Sequence, residues 1–279
     1  MEVSSNPLVA ATHYVRHSVK ARYMNEIAIR KRALQGGKLL GSFLNSGSAI
    51  LAELAGRSGL DWALLDMEHG SGSWGMLTHQ LIALEGSNTA PVIRLPSNQA
   101  DYFKRALDLG AHGLMVPNVN TADEARAAVS YSRYPPHGTR GVALMNRGAH
   151  YGAKFAERLE SSHENTLIIA QIESPAAIEN VEEIAAVDGV DVLFVGPMDL
   201  SICMGIPRQF DHPDYIAATE KVVEAAKKHN KASGILGFTS PDIAKFYAKG
   251  FSFLAVGSDG GMVAAGMKEL VTANQEAVQ

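Results

Sequence analysis

The chain has 279 residues, 46% of them hydrophobic and 19% charged, which is ordinary globular material long enough for one large barrel-type domain or two small ones. A formal net charge of -4 supplies no basic field for a phosphate backbone, so nucleic acid is not an expected partner. The single cysteine, Cys203, cannot form an internal disulfide and suits a reducing compartment.

At the start, residues 1–34 lack a charged head followed by an apolar core and a small-residue cleavage site, so no signal peptide is expected. No apolar run reaches spanning length, so no membrane is expected as a partner, and the expected location is cytoplasmic. Residues 13–32 are rich in Arg and Lys and read as part of a helical arm packing on the body or on a neighbouring subunit, with amphipathic targeting as the alternative. Residues 1–24 are assigned to this arm and 25–279 to a single domain, because no Pro/Ser-rich linker or charge block divides the chain.

From there short apolar runs alternate with helical patterns. Strands are expected at 39–45, 62–68, 91–95, 113–118, 166–173, 190–197, 233–237 and 251–257. Between them lie segments with helical spacing, among them 49–59, 100–110, 122–133, 177–187, 215–230 and 241–250, several closed by Gly or Asn. Strands apolar on both faces and separated by helices imply parallel pairing under right-handed crossovers. Eight such units fit an α/β (β/α)₈ TIM barrel, with a doubly wound open sheet as the runner-up.

In that fold the chemistry sits where strands end, so polar residues at those ends are read first. Strand two exits through Asp66, Glu68, His69 and Gly70, strand three closes on Arg94, strand five on Gln171 and Glu173, and strand six runs into Asp199. Gln171 and Glu173, two apart, share a face. Taken singly, each has a structural reading: Asp199 or Ser201 as a helix cap, His69 as a hydrogen-bonded core histidine, Arg94 as a bridge to a nearby acid.

Adjacent parallel strands lie about 4.8 Å apart, so Glu173 and Asp199 can converge. Two carboxylates that close repel unless a cation joins them, and oxygen ligands favour Mg²⁺ or Mn²⁺ over structural zinc. Two protein ligands leave positions for water and for a chelating 2-keto acid, with Gln171 bonding one edge. Arg94 adds positive charge where an enolate oxygen develops, and His69, with an ordinary pKa of about 6.5, carries protons through a neighbouring water. The chemistry supported is formation of a pyruvate enolate, and carbon–carbon cleavage beside it is a retro-aldol reaction. A Schiff-base lysine is disfavoured: Lys38, Lys231 and Lys249 precede strands one, seven and eight, at the wrong end of the barrel.

The strings "LLDMEHG", "PVIRLP", "RALDLGAHGLMVPNVNTADEA", "SRYPPHGTRGV", "QIES", "VDGVDVLFVGPMDLS" and "GFSFLAVGSD", in order over about residues 25–270, resemble the HpcH/HpaI aldolase family. These are metal-dependent class II pyruvate aldolases acting on 2-keto-3-deoxy sugar acids and 4-hydroxy-2-keto diacids. The resemblance implies Glu173 and Asp199 as ligands of Mg²⁺, Mn²⁺ or Co²⁺, with no organic cofactor, and Gln171, Met198 and Asp199 at the substrate. It implies His69 as acid/base, Arg94 as stabiliser of the enolate, and Asp108 as the partner that raises the basicity of His69. Asp108 sits on a helix end before strand four, toward the opposite end of the barrel, so its role comes from the resemblance alone. A homohexamer, a trimer of dimers that swap the C-terminal helix around 263–278, is implied as well.

Where this chain departs from its relatives, Met198 narrows the pocket or makes it more apolar, and Asn118 replaces a commoner apolar residue. Arg140, Arg147 and Tyr134 are candidates for a distal carboxylate or hydroxyl, or equally for loop anchoring. The alternative on the same site is decarboxylation of oxaloacetate, as in the macrophomate synthase branch. A CoA-thioester lyase ranks below it for want of a basic, phosphate-cradling segment, and a non-catalytic binding protein below that, because the carboxylates and His69 are all present.

Overall fold

The computed structural model describes residues 28–275, so the expected arm at 1–24 and most of the basic stretch 13–32 lie outside the described residues. Eight parallel strands close on themselves in chain order: β1 Leu39–Leu44, β2 Trp62–Asp66, β3 Ala90–Arg94, β4 Gly113–Val116, β5 Leu167–Ile172, β6 Val192–Val195, β7 Ala232–Gly237 and β8 Phe253–Ser258. Helices lie between successive strands, and the architecture is the (β/α)₈ barrel the sequence predicts. Among the described residues no helix is long and apolar enough to cross a membrane.

Three strands end two residues earlier than their patterns suggest. Pro117 and Pro197 have no N–H for the ladder, and the Glu68 N–H turns back to Asp66 Oδ1 at 3.1 Å. The helical pattern at 177–187 is broken at Asn180 (φ −92°, ψ 6°) into Pro175–Glu179 and Val181–Ala185. There the Asn180 amide donates to the carbonyl of Asn120 at 2.8 Å, tying two loops of the same barrel end together.

Strand alternation decides which side chains enter the barrel. Trp62 and Leu64 of β2, Val92 of β3, Leu167 and Ile169 of β5, and Phe194 of β6 fill the interior, while Ala63, Leu65, Ile93, Ile168 and Leu193 pack outward against the helices. Carried one step further, the same phase turns Asp66, Arg94, Gln171 and Gly196 inward at the C-terminal end. The strands thus select the site residues through the parity that builds the core.

At the N-terminal end, the helix Ala28–Leu34 brings Ile29 and Ala33 onto the interior cluster. Its Arg30 Nε bonds both oxygens of buried Asp191 at 3.0 Å. Asp191 Oδ2 also accepts the Ile168 N–H at 2.9 Å. Burial pushes this carboxyl up and Arg30 opposes it.

The interior is tightly filled around Trp62, whose ring stacks on Phe253 with centroids 4.3 Å apart. A Cβ at Gly41 would stand 2.3 Å from the Trp62 ring. We expect Gly41→Ala to cost about 1–3 kcal/mol through overpacking, read as a lower urea midpoint at unchanged slope. A neutral result means the Trp62–Phe253 stack yields easily.

Candidate active site

Arg94 is the centre of charge at the open end of the barrel. Its Nε and Nη2 bond Asp66 Oδ1 and Oδ2 at 2.9 and 2.6 Å, a two-pronged pair made possible by the β2–β3 register that sets Asp66 beside Arg94. Its Nη1 lies 3.2 Å from Glu68 Oε2, and its guanidinium sits 5.2 Å from the Phe43 ring centroid. Both members of the Asp66 pair are buried. Burial pushes Asp66 up, but the Arg94 hydrogen bonds and charge, with the N–H groups of His69 and Glu68, outweigh it and hold the carboxyl below its usual range.

The chain leaving β2 turns on Asp66, whose Oδ1 also accepts the His69 N–H at 3.2 Å. The His69 ring is exposed at the cavity, with Nε2 3.9 Å from Glu68 Oε2. Burial raises the Glu68 carboxyl, with Asp66 and Asp199 adding to the effect and Arg94 and His69 opposing it.

Across the barrel Glu173 is buried, with Oε1 accepting the Asn118 N–H at 2.8 Å and Oε2 accepting Gln171 Nε2 at 2.5 Å. Asn118 presents that N–H from a left-handed conformation, φ 55°, which Asn tolerates better than an apolar side chain would. Burial raises Glu173 against the pull of the Asn118 N–H, Asp199 and Glu68 raise it further, and Arg94 offsets only part, so the carboxyl stands at about 7.

Asp199 lies in the first turn of the helix Pro197–Cys203 and is exposed. That helix is capped by Gly196 with no side-chain bond, and the Ser201 hydroxyl donates to the Met198 carbonyl at 2.9 Å, so Asp199 is not used as a cap. Gly196 itself is required by close approach: a Cβ there would stand 2.5 Å from Glu173 Oε2.

A cavity of about 540 Å³ opens here, lined by Asp66, His69, Arg94, Gln171, Gly196, Met198 and Asp199 together with an apolar wall. The residues present fit a divalent cation. A buried carboxylate is pushed up beside a second one, the side chain of residue 196 is deleted next to it, and Gln171 Oε1 is buried with no hydrogen-bond partner. Among the described residues no group of three or more His, Cys, Asp and Glu gathers as a complete cage.

Asp108 is elsewhere. It ends the helix Ala100–Leu109 and accepts Arg140 Nη2 at 2.6 Å, with the Arg140 guanidinium 4.4 Å from the Tyr134 ring centroid. It lines an outer depression with Arg105, Asn146 and Tyr151, which His69 does not line. Arg147 bonds the Leu109 carbonyl at 2.9 Å and Glu85 at 2.9 Å. Arg140, Arg147 and Tyr134 are therefore loop anchors in this chain. The role of Glu68 as Arg94's second partner and as a third acid facing Glu173 was not assigned from sequence. Its position two residues after Asp66, in the same inward phase, is the signal that marks it.

The architecture is a (β/α)₈ barrel with a charged pocket at the C-terminal end of its strands, and sequence comparison gives its lineage. Residues 39–265 match the HpcH/HpaI aldolase/citrate lyase model. A 5-keto-4-deoxy-D-glucarate aldolase of Klebsiella pneumoniae subsp. pneumoniae is 40% identical over 234 residues, 84% of this chain and 91% of that one. An HpcH/HpaI aldolase/citrate lyase family protein from Burkholderia cenocepacia superposes with a TM-score of 0.85 at 33% identity, covering 91% of this chain and all of that one. An HpcH/HpaI aldolase from Desulfitobacterium hafniense gives 0.82 at 28% identity, over 89% and 96%. The chain belongs to the HpcH/HpaI aldolase/citrate lyase family. It is a carbon–carbon lyase of the aldolase type.

Asp66→Asn leaves Arg94 buried with Glu68 as its remaining carboxylate, at an expected cost of about 3–5 kcal/mol at neutral pH, toward the lower end because Glu68 stays. The Asp66 carboxyl is depressed in the fold, so the stability it contributes is present above its ordinary pKa of about 3.8 and is lost as pH falls through the lower folded value. Denaturant unfolding of both proteins between pH 7 and pH 2.5 should show the gap shrinking only at the acid end. A gap constant across that range would exclude the ion pair as its source.

Proposed function

We propose that the protein cleaves a 4-hydroxy-2-keto acid, the class that includes 2-keto-3-deoxy sugar acids and 4-hydroxy-2-keto diacids, to pyruvate and an aldehyde. The observation that carries this is the buried Glu173, bonded to Gln171 and within the field of Asp199 and Arg94, behind the cavity that those three residues line. The name of the Klebsiella relative supports the substrate class.

In this reading Glu173 and Asp199 hold Mg²⁺ or Mn²⁺, with Co²⁺ as a further choice, and no organic cofactor is used. When bound, the ion supplies a Lewis acid at the keto oxygen of the substrate. Gln171 and Met198 line the space that receives the keto acid. His69 takes the proton of the C4 hydroxyl, directly or through one water. The C3–C4 bond breaks, its electron pair passes to the C2 oxygen as an enolate, and the C4 fragment leaves as aldehyde. Arg94 places its charge where that oxygen turns negative, in a site that Asp66 has already organised. Return of a proton to C3 completes pyruvate.

The assembly proposed is a hexamer, a trimer of dimers with exchanged C-terminal helices. The helix Asp259–Ala273 supports it by exposing Met262, Val263, Met267, Leu270 and Val271. Asp108, held by Arg140 in its own chain, then acts on His69 of a neighbouring subunit. A cytoplasmic setting keeps the exposed Cys203 a thiol. Residues 25–279 form the catalytic domain in this proposal, with 1–24 as its arm.

Chelation with EDTA should abolish pyruvate release and added Mn²⁺ or Mg²⁺ should restore it. Glu173→Gln should lower kcat/KM by about a hundredfold or more while the melting temperature holds, since the amide removes a buried charge. Pyruvate release that survives both treatments would falsify the proposal. Rates on oxaloacetate and on 4-hydroxy-2-keto acids, measured side by side, separate aldol cleavage from decarboxylation.

A further inference from the structure

One polar residue that lines the cavity has no part in the chemistry above. Asn45 follows the last residue of β1 and continues the inward series of Leu39 and Phe43. The β1–β2 register pairs Phe43 with Leu64 and Leu44 with Leu65, and its next step sets Asn45 beside Asp66. The backbone of Asn45 is held from both sides: its N–H donates to Asp259 Oδ1 at 2.9 Å, and its carbonyl accepts the Ser71 N–H at 2.8 Å. Any residue but proline makes those two bonds, so they do not explain the amide side chain.

The usual structural reasons for an asparagine do not apply either. Asn45 is not among the described residues with a left-handed backbone, and the next helix, Ala49–Arg57, is capped by Ser48, whose hydroxyl accepts the Leu51 N–H at 3.3 Å. No described residue bonds its half-buried carboxamide, and a Cβ at Gly260 would crowd Oδ1 at 3.1 Å. In the aldolase reading the keto acid meets Gln171 and Asp199 at the ends of β5 and β6, and its C4 hydroxyl meets His69 after β2. The chain beyond C4 then continues past His69 toward β1, where the bond from Ser71 ties the loop that carries His69 to Asn45. An uncharged amide offers donors and an acceptor together, which a hydroxyl, itself donor and acceptor, uses in full.

We infer that Asn45 is a specificity-determining residue whose carboxamide hydrogen-bonds a hydroxyl at C5 of the 4-hydroxy-2-keto acid, so that the aldehyde released carries a hydroxyl on the carbon beside its carbonyl. The inference rests on the aldolase reading above and narrows its substrate class.

The test uses the full chain loaded with Mn²⁺. Pyruvate release is measured on 4,5-dihydroxy-2-oxopentanoate and on 4-hydroxy-2-oxopentanoate, both racemic at C4, which differ only in the C5 hydroxyl. Exchange of the methyl protons of pyruvate with deuterated water is followed in parallel. The dihydroxy acid should exceed its deoxy analogue in kcat/KM by about tenfold, the value of one neutral hydrogen bond. Asn45→Ala and Asn45→Leu should each bring that ratio close to one, with the loss falling on the dihydroxy acid. The pair is used because Leu keeps the volume and shuts out a replacing water, while Ala keeps both backbone bonds with the least crowding. A carboxamide that only supports the loop, or that a neighbouring subunit uses, slows both substrates alike and leaves the ratio unmoved. That result, or a wild type that does not favour the dihydroxy acid, overturns this inference, and methyl exchange in the same samples leaves the aldolase reading standing. Absence of methyl exchange overturns the aldolase reading and this inference with it.

Discussion

Four carboxylates, those of Asp66, Glu68, Glu173 and Asp199, face one guanidinium at the open end of the barrel, and that imbalance governs the site. Arg94 can satisfy only part of it. The register of β2 against β3 gives Asp66 the two-pronged share, and Glu68 meets the remaining arm at 3.2 Å. Glu173, across the barrel, receives only an N–H from Asn118 and an amide from Gln171, and burial leaves its carboxyl at about 7. The protein keeps one acid below its ordinary range and raises another to about 7 at the same end of the barrel. The depressed one fixes the cation of the site, and the raised one is the group that a divalent ion would stabilise most.

This arrangement depends on strand parity. A closed barrel has no edge at which a strand can slip, so the residues that fill its interior fix which later residues face the same way. Trp62, Leu64 and Asp66 form one inward series, Val92 and Arg94 a second, Leu167, Ile169, Gln171 and Glu173 a third. The hydrophobic lower members secure the register and the polar upper members inherit it. Moving any of these strands by one residue would bury Ile93 or Ile172 in the cavity and turn the functional groups toward the helices.

The same parity explains how much could be read from the sequence. All eight strands, the barrel, and the approach of Asp199, Gln171, Arg94 and His69 to one cavity, with Glu173 bonded to Gln171 beside it, follow from apolar runs that end in polar pairs. Contacts made between distant loops were out of reach. Nothing in "RALDLG" tells that Asp108 meets Arg140, because that pair depends on how the loop after residue 132 folds back. The break at Asn180 is likewise set by a carbonyl sixty residues earlier, not by local propensity. The left-handed Asn118 shows in the sequence only as a polar residue in an unexpected slot, and its purpose becomes visible when its N–H is seen on Glu173.

Deletion of a side chain can matter as much as its presence. At residue 196 a single methyl group would stand 2.5 Å from Glu173 Oε2, 3.0 Å from Glu173 Cβ and 3.1 Å from Gln171 Nε2. The position therefore sets how closely the chain entering the Pro197–Cys203 helix can approach β5, and with it how near Asp199 stands to Glu173. Because that helix has no side-chain cap, nothing in its own first turn competes for the Asp199 carboxylate. A capped helix would have been more stable by about 1 kcal/mol, and its acid would have been committed to the backbone. Local helix stability is given up here, and what is gained is an acidic group still free to meet a cation.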